Sequence, residues 1–157
     1  MNNLTVNIGS RSSPLALAQV EEIYDLLKSI QPLAVEFNRK KFLTLGDKDK
    51  TTPLTSADVP DDYFTDALDA AIINKEIDIA IHSAKDLPKK LSKGLEIYAI
   101  TKSLDSTDAL VGKATLKDLP VNSRIGTSSF IRQGEILQIR PDIQIVEIRG
   151  TIQERIA

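Results

Sequence analysis

Hydrophobic and polar residues alternate most clearly over residues 77–88, which read Ile-Asp-Ile-Ala-Ile-His-Ser-Ala-Lys-Asp-Leu-Pro. Isoleucines occupy every second position from Ile77 to Ile81, which predicts a strand with these side chains on one buried face. Lys85 and Asp86 follow just beyond its carboxyl end. Because ligands of open α/β sheets bind at that edge, the pattern favours a functional site. An ordinary strand followed by a charged turn fits the same segment.

Strand and helix patterns alternate in the first part of the chain, which predicts an α/β fold with a mostly parallel sheet. Ser13 provides an N-cap and Pro14 a first-turn residue, and apolar residues then recur at helical spacing until Pro32. The polar stretch 44–60 is predicted to be a functional or mobile loop. The other predicted elements are strands at 5–9, 33–42 and 95–100 and a helix at 63–74.

A polar segment at 103–108 is predicted to be a hinge between two lobes. The first lobe spans residues 1–102 and the second spans 109–157. Patterns beyond the hinge predict strands at 109–111, 123–126 and 143–148 and a helix at 130–139 that ends at Pro141.

The final residues show the beginning of a further helix. Thr151 and Glu154 have the spacing of a capping box, which predicts that a helix begins at Ile152. The sequence ends at Ala157, whereas isolated helices of fewer than roughly 12 residues are marginal. We therefore expect the second lobe to be incomplete; a short terminal turn docked on the sheet is the alternative.

Composition excludes several kinds of site. The 157 residues contain no cysteine and one histidine, which excludes disulfides, thiolate ligands and multi-histidine metal sites, so no metal site is expected. A formal net charge of -2 gives no general attraction to nucleic acid or anionic membranes. The amino terminus has no signal-peptide pattern, and no apolar run approaches the roughly 20 residues that span a bilayer. The predicted location is the cytoplasm.

Arginines concentrate towards the end of the chain. All lysines lie at or before Lys117, whereas five of the seven arginines follow it. Arginine pairs with carboxylates and phosphates through two parallel hydrogen bonds, and helix amino termini favour anions. Arginines at predicted helix entrances therefore indicate an anion site, although solvated arginines beside ordinary caps give the same pattern. These arginines are Arg11, Arg132, Arg149 and Arg155.

Four motifs resemble, in order and spacing, those of the hydroxymethylbilane synthase family, also called porphobilinogen deaminase. The resemblance runs from residue 5 to the end, and the His-Ser-x-Lys-Asp-x-Pro segment is its most specific part. The motifs are Ile8-Gly9-Ser10-Arg11-Ser12-Ser13-Pro14-Leu15-Ala16, Ile81-His82-Ser83-Ala84-Lys85-Asp86-Leu87-Pro88, Gly126-Thr127-Ser128-Ser129 and Ile148-Arg149-Gly150-Thr151.

The resemblance implies a cytoplasmic, monomeric transferase of tetrapyrrole (haem) biosynthesis. Its two lobes would fold like type-2 periplasmic binding proteins, with a small third domain. The family joins porphobilinogen units with loss of ammonia on a dipyrromethane primer, which a third-domain cysteine holds covalently. We expect the present chain, without cysteine or third domain, to be an inactive fragment with a nearly complete first lobe.

The resemblance also assigns roles to individual residues. Asp86 is similar to the family's catalytic aspartate, since a carboxylate can stabilise the cationic methylene-pyrrole left by loss of ammonia and move protons at the pyrrole nitrogens. Porphobilinogen carries an acetate and a propionate, which suit arginines and hydroxyl groups. The implied substrate and cofactor-binding residues are Arg11, Ser13, Lys85, Thr127, Ser128, Ser129, Arg132, Arg149, Gly150 and Arg155.

Two positions depart from the family pattern. Ile131 stands where the family usually has the first of two successive arginines, which removes one carboxylate contact. Pro60-Asp61-Asp62 replaces glycine-lysine-glycine before Phe64, so the loop has lost positive charge. Gly46-Asp47 does fit the family's glycine-aspartate pair.

Two other classes remain as alternatives. A non-catalytic anion-binding module of periplasmic-receptor type would share the lobes, but is expected to bring an export signal. The ligand domain of a transcriptional regulator would need an attached DNA-binding segment, whereas residues 1–30 begin directly with a strand and a helix. Neither explains Lys85 and Asp86 as well as the enzyme does.

Overall fold

A computed structural model describes residues 4–30, 35–54 and 56–157 of the chain. They form two compact units with mixed α/β structure and parallel sheets. Unit 1 combines Met1–Asp49 with Pro60–Ile100, and unit 2 combines Lys50–Val59 with Thr101–Ala157. The elements are β1 (Leu4–Arg11), α1 (Pro14–Ile30), β2 (Val35–Phe42), α2 (Leu45–Lys48), α3 (Asp66–Ile73), β3 (Ile79–Ala80), a 3-10 turn (Ala84–Asp86), β4 (Arg124–Gly126), α4 (Phe130–Ile139), β5 (Gln144–Val146) and α5 (Ile152–Ile156).

Unit 1 contains a parallel sheet in the order β2-β1-β3. β1 pairs with β2 from Leu4 opposite Val35 to Arg11 opposite Phe42, and α1 makes the connection between them. The predicted start of α1 is confirmed, because Ser13 Oγ accepts a hydrogen bond from the backbone N–H of Ala16 at 3.2 Å. The three strands run in one direction, so their carboxyl ends lie at the same edge of the sheet.

The core of unit 1 lies where α3 packs on the sheet. Leu68, Ala71 and Ile77 are buried there, with Phe42 and Ala80 packed against them. The backbone of Gly9 passes so close that a Cβ atom at this position would lie 2.3 Å from Ile77 Cδ1. This close packing fixes the height of β1 relative to α3 and therefore the position of the residues that follow β1.

The predicted strand from Ile77 is present but shorter and oriented differently than expected. β3 has two residues, and it pairs with β1 through Ile8–Ile79 and Gly9–Ala80. Ile77 is buried, but Ile79 is 45% exposed, so the prediction of one buried isoleucine face is wrong. Ile77 lies before the paired segment, where its N–H bonds to Ala71 O of α3, and Ala80 instead packs on the core.

Two other predicted strands do not form. Residues 95–100 and 109–111 have neither helix nor strand structure. Ile97, Tyr98 and Ile100 are 52%, 93% and 79% exposed, respectively. A segment with alternating apolar residues forms a strand only if a neighbouring strand completes its backbone hydrogen bonds. Within residues 4–30, 35–54 and 56–157, no strand pairs with either segment.

Smaller differences concern the loop and the element ends. The predicted loop at 44–60 contains the short helix α2, and α3 begins at Asp66 after turns where the helix was predicted from residue 63. β5 is shorter than the predicted 143–148. Pro32 and the predicted strand residues 33–34 lie outside the described residues.

Unit 2 is built on the parallel pair β4 and β5, which α4 connects. The predicted helix at 130–139 and the capping box of α5 are both confirmed. Arg140 follows α4 and donates hydrogen bonds to the carbonyl groups of Leu116, Lys117, Leu119 and Pro120 and to the carboxylate of Asp142. Arg140 therefore has a structural role in holding the segment before β4.

In the part of the chain that the structure describes, no helix has the length and apolar character needed to cross a bilayer.

Candidate functional site

Three charged residues meet at the carboxyl edge of the unit 1 sheet. Arg11 is the last residue of β1, Asp47 lies in α2 after β2, and Asp86 ends the 3-10 turn after β3. Arg11 bonds to both carboxylates. Each strand therefore contributes one member of the cluster at the edge where the sequence predicts a site, and the functional role of these residues stays a prediction.

Arg11 and Asp47 form the stronger pair of this cluster. Arg11 Nη2 donates to Asp47 Oδ1 at 2.5 Å, and Arg11 Nε lies 3.1 and 3.2 Å from the two carboxylate oxygens. Asp47 Oδ2 also accepts from the N–H and hydroxyl groups of Thr44. Although burial alone would raise it, these bonds from Arg11 and Thr44 hold the pKa of Asp47 below its ordinary value.

Compared with Asp47, Asp86 makes fewer hydrogen bonds to Arg11, and its pKa is shifted in the opposite direction. Arg11 Nη1 donates to Asp86 Oδ2 at 3.2 Å, and the Asp86 side chain is 17% exposed. Burial raises the pKa of Asp86, while the charges of Lys85 and Arg11 oppose the rise and that of Asp47 adds to it. Asp86 is therefore the carboxylate of this site that is better placed to take up a proton.

His82 lies in the same site without a charge at neutral pH. Burial, and to a smaller extent the nearby Arg11 charge, lowers its pKa from 6.5 to about 4. Its Nδ1 atom is buried and has no hydrogen-bond partner among the described residues. A neutral histidine here leaves Arg11 and Lys85 as the positive groups around Asp86.

Of the other predicted residues in unit 1, Ser13 caps α1 through its hydroxyl group and Lys85 is exposed beside Asp86. Their roles in ligand binding remain predictions. Between β3 and the 3-10 turn, Ser83 donates to Gln19 Oε1 at 3.0 Å, which ties this segment to α1. The exposed Lys85 ammonium is available to an anion from solvent.

The predicted residues of unit 2 also meet at the carboxyl edge of their sheet. Thr127 N–H donates to Val146 O at 2.9 Å, and Ser128 Oγ donates to Ile148 O at 2.5 Å. The Ile148 side chain packs closely on the backbone of Gly126, where a Cβ atom would lie 2.9 Å from two of its atoms. The segments after β4 and β5 are thus held side by side.

Arg132 is fixed at the amino-terminal end of α4. Ser129 is the N-cap and accepts from the N–H of Arg132, while Thr127 Oγ1 accepts from the N–H of Ser129. The Arg132 guanidinium donates to both oxygens of Asp108, at 2.9 and 2.6 Å. Ile131, in the first turn of α4, is 75% exposed.

The segment after β5 brings further arginines to this edge. Arg155 Nε donates to the carbonyl oxygen of Gly150, whose φ of 106° is in the region that favours glycine. Burial lowers the pKa of Arg155, and the positive charges of Arg149 and Arg132 lower it further. Two like charges therefore act on Arg155, a setting in which a bound anion would be favourable.

Comparison with known proteins decides the family. A family model described as "Porphobilinogen deaminase, dipyromethane cofactor binding domain" matches residues 6–157. The chain belongs to this family.

Three curated relatives named porphobilinogen deaminase show the extent of the match. The protein of Deinococcus deserti is 38% identical over 157 residues, which are 98% of this chain and 50% of the relative. That of Geobacter metallireducens is 40% identical over 153 residues, 96% of this chain and 47% of the relative. That of Thermus thermophilus is 38% identical over 154 residues, 97% and 49%. The chain thus spans about half the length of the curated relatives it matches, and membership does not favour the periplasmic-receptor alternative.

The residues present fit the carboxylates of the cofactor that the porphobilinogen deaminase family model names. Hydroxyl groups at Thr127 and Ser129 lie at the start of α4 beside Arg132, and Arg155 bears the repulsion of two like charges. Such a donor set suits a ligand with several carboxylates. The covalent link is a different matter, because the 157 residues include no cysteine.

Sequence reasoning missed the partners of the predicted arginines. Asp47 was noted only as part of a family motif, and neither Asp108 nor the ion pair between Lys50 Nζ and Glu154 Oε1 at 2.7 Å was expected. Asp47 lies 36 residues from Arg11, and Lys50 lies 104 from Glu154. A local sequence pattern cannot predict such pairs. The capping-box spacing between Thr44 and Asp47 does single out Asp47, but it does not indicate that Asp47 pairs with Arg11.

Proposed function

We propose that this chain carries two sites of a porphobilinogen deaminase, a transferase that joins porphobilinogen units with release of ammonia. The Asp86 site is the cluster at the carboxyl edge of the unit 1 sheet, and the arginine site contains Arg132, Arg149 and Arg155 of unit 2. The observation that supports this most directly is the position of Asp86. It is a largely buried carboxylate with a raised pKa at the carboxyl edge of a parallel sheet, inside the segment 81–88 that resembles a motif of this family. The name porphobilinogen deaminase belongs to relatives about twice as long, so the activity of the whole protein is part of the proposal.

Asp86 would act on charge and protons near the reacting pyrrole. Its ionised form stabilises a cationic methylene-pyrrole, and its raised pKa allows it to hold and release a proton at a pyrrole nitrogen. Arg11 keeps one hydrogen bond to Asp86 and fixes the direction of the carboxylate. Lys85 and Ser13 would bind a substrate carboxylate at the same edge of unit 1.

The arginine site of unit 2 would bind the carboxylates of the growing pyrrole chain. Arg132, Arg149 and Arg155 would supply charge, and Thr127, Ser128 and Ser129 would supply hydroxyl groups. Gly150 supplies the carbonyl oxygen that accepts from Arg155 Nε, and its positive φ suits glycine. Arg132 must exchange Asp108 for the ligand, which replaces one two-bond carboxylate pair by another. Each lost charged hydrogen bond would cost roughly 1.5–3 kcal/mol of binding free energy.

The dipyrromethane cofactor would supply the primer to which new pyrrole units are added. We propose that this chain binds its carboxylates through the arginine site, while a cysteine outside these 157 residues anchors it. The finer description, two lobes like those of type-2 periplasmic binding proteins in a cytoplasmic monomer, is part of the same proposal. So are the domain limits 1–102, 103–108 and 109–157.

A chimera tests the proposed function. The chain is fused to the part of the Deinococcus deserti relative that follows the matched region, and consumption of porphobilinogen and release of ammonia are measured. We expect turnover by the chimera and a dipyrromethane adduct in its intact mass. The unfused chain should show neither, because it has no thiol to form the thioether. A folded chimera that carries the adduct but does not turn over porphobilinogen would contradict the proposal.

A further inference from the structure

The guanidinium group of Arg11 donates more hydrogen bonds to Asp47 than to Asp86. Its Nε and Nη2 atoms both face Asp47, at 3.1 and 2.5 Å from Oδ1, whereas a single atom, Nη1, faces Asp86 at 3.2 Å. An arginine forms its strongest carboxylate pair when two parallel N–H groups meet two oxygens. Asp47 holds that edge of the guanidinium, so Asp86 is left with the weaker contact.

Asp47 is itself held in place on the other side of its carboxylate. Thr44 is fully buried, and its N–H and hydroxyl groups lie 3.2 and 2.9 Å from Asp47 Oδ2. The Phe64 ring packs on Gly46, and the Arg11 guanidinium carbon lies 4.4 Å from its centre. The guanidinium is therefore held at its edge and on its face, and it has little freedom to turn its paired edge towards Asp86.

We propose that Asp47 is a positioning residue for Asp86: by occupying the Nε–Nη2 edge of Arg11, it limits Arg11 to one hydrogen bond with Asp86 and keeps Asp86 able to exchange a proton. The link to proton exchange during catalysis rests on the proposed function. The charge distribution itself concerns only residues that unit 1 brings together.

Several groups near Asp86 raise or lower its pKa. Burial and the Asp47 charge raise its pKa, while Lys85 and Arg11 lower it, and His82 is neutral above a pH of about 4. Removing the Asp47 charge would lower the pKa of Asp86 directly. Releasing the Arg11 edge would lower it again, because a two-bond pair becomes available to Asp86. The test must separate these two effects.

Carboxyl-carbon NMR titration of the 157-residue chain measures the pKa of Asp86 in the unaltered protein and in Asp47→Asn. We expect the substitution to lower this pKa by about one unit or more, since an arginine partner lowers carboxyl pKa values by about 1–3 units. Two controls should change it less. Asp25→Asn removes one charge from an exposed position of α1 and should leave it within a few tenths of a unit. Thr44→Val removes the hydroxyl support of Asp47 while the Asp47 charge and the Thr44 N–H remain, so any fall should be smaller than in Asp47→Asn.

The same titration in an Arg11→Gln background separates positioning from direct charge. If Asp47 acts through Arg11, Asp47→Asn should shift the Asp86 pKa there by less than half as much. An equal shift in both backgrounds would overturn the inference, as would an unchanged Asp86 pKa in the single variant. So would a shift in Thr44→Val as large as that in Asp47→Asn, because it would assign the effect to the local fold.

His82 reports whether the site stays folded, because it is the chain's one histidine. A depressed His82 pKa in Asp47→Asn shows an intact site, whereas a return to about 6.5 shows local unfolding. In the latter case Asp47→Glu decides: the longer carboxylate retains the charge, and an Asp86 pKa within about half a unit of the unaltered value supports the inference. A full fall despite the retained carboxylate overturns it.

The two proposals fail in distinguishable ways. In the chimera, Asp47→Asn should move the acidic limb of the kcat profile to lower pH, with KM changed less than twofold. Asp86 pKa values that respond as expected in a chimera without turnover would contradict the proposed function alone. An active chimera whose kcat profile and Asp86 pKa ignore Asp47 would contradict this inference alone.

Discussion

Asp108 holds Arg132 through two hydrogen bonds, from Nε to Oδ2 at 2.9 Å and from Nη2 to Oδ1 at 2.6 Å. The hydrogen bond to Asp108 raises the pKa of Arg132, so the guanidinium stays charged, but its two-bond edge is occupied. Any carboxylate that binds Arg132 through this edge competes with Asp108. In the proposed anion site, we therefore expect Asp108 to limit the affinity for carboxylates.

Asp108→Asn should strengthen anion binding at the unit 2 edge. An amide pairs with the guanidinium without a charge, so we expect citrate to bind about 3- to 10-fold more tightly, and the gain should shrink as salt rises. Calorimetric titration measures the affinity, with Asp118→Asn as a control that also removes one negative charge. Arg132→Ala should abolish the gain. Equal gains in both aspartate variants would show that net charge, and not the Arg132 pair, controls binding.

Local sequence signals predicted the elements that carry their own determinants. The Ser13-Pro14 start of α1, the limits of α4 and the capping box at Thr151 all depend on residues within one turn, and the structure confirms them. The segment 95–100 shows the opposite case. Its alternation resembles that of a strand, but a strand also requires a neighbour, which the local pattern does not report.

In the candidate site too, local sequence patterns predicted some residues and not others. Asp86 was found because a strand pattern stops just before it, and Arg11 because it precedes a capped helix. The partners that set their charge, Asp47 for Arg11 and Asp108 for Arg132, are distant in sequence and become visible only in the structure. Sequence reasoning thus located the cationic side chains, but it could not tell that carboxylates already occupy two of them.

Asp86→Asn should lower turnover in the chimera at least about 100-fold and leave cofactor loading nearly unchanged. The amide keeps the shape of the side chain but loses the charge and the proton that the proposed role requires. Turnover of porphobilinogen and the intact-mass adduct measure the two effects separately. Asp61→Asn, an exposed change in the loop before Phe64, is the matched control. Near-normal turnover in Asp86→Asn would remove Asp86 from the mechanism.

Asp69→Asn should stabilise the fold at neutral pH. Asp69 is 7% exposed, and burial raises its pKa above the unfolded value, despite the hydrogen bond from Thr65 Oγ1 at 3.1 Å. A raised folded-state pKa gives stability that is present below the unfolded pKa of about 3.9 and is lost as pH rises through the folded value. The amide accepts the same bond without a charge.

Urea denaturation at several pH values tests this expectation. The stability difference between Asp69→Asn and the unaltered chain should be small below about pH 4 and should grow towards neutral pH. Asp66→Asn provides the comparison, because Asp66 lies on the same helix and adds a negative charge near Asp69. A difference that does not change with pH would mean that Asp69 is not held in a raised-pKa state.

Two glycine substitutions should change stability in opposite directions. In Gly9→Ala the new methyl group would lie 2.3 Å from Ile77 Cδ1 and 2.9 Å from Leu68 Cδ2, so we expect a loss of about 1–3 kcal/mol in the free energy of unfolding. In Gly134→Ala nothing lies within 4 Å, and the residue is in α4, so a gain of about 0.5–1 kcal/mol is expected. Thermal or urea unfolding measures both. A Gly9→Ala variant as stable as the parent would show that β1 and α3 are less closely packed than described.

Amide exchange should divide the chain by element and not simply by unit. The N–H groups of β1 are bonded in a sheet that the buried residues Leu68 and Ile77 support, so their exchange should be slow. Residues 95–114 form turns and irregular segments with mostly exposed side chains, and their exchange should be fast although 95–100 belong to unit 1. Mass spectrometry after deuterium labelling gives the protection of each peptide. Slow exchange over 95–100 that appears only at high protein concentration would indicate that association between chains provides the missing strand partner. Slow exchange at all concentrations would show that this segment is a strand after all.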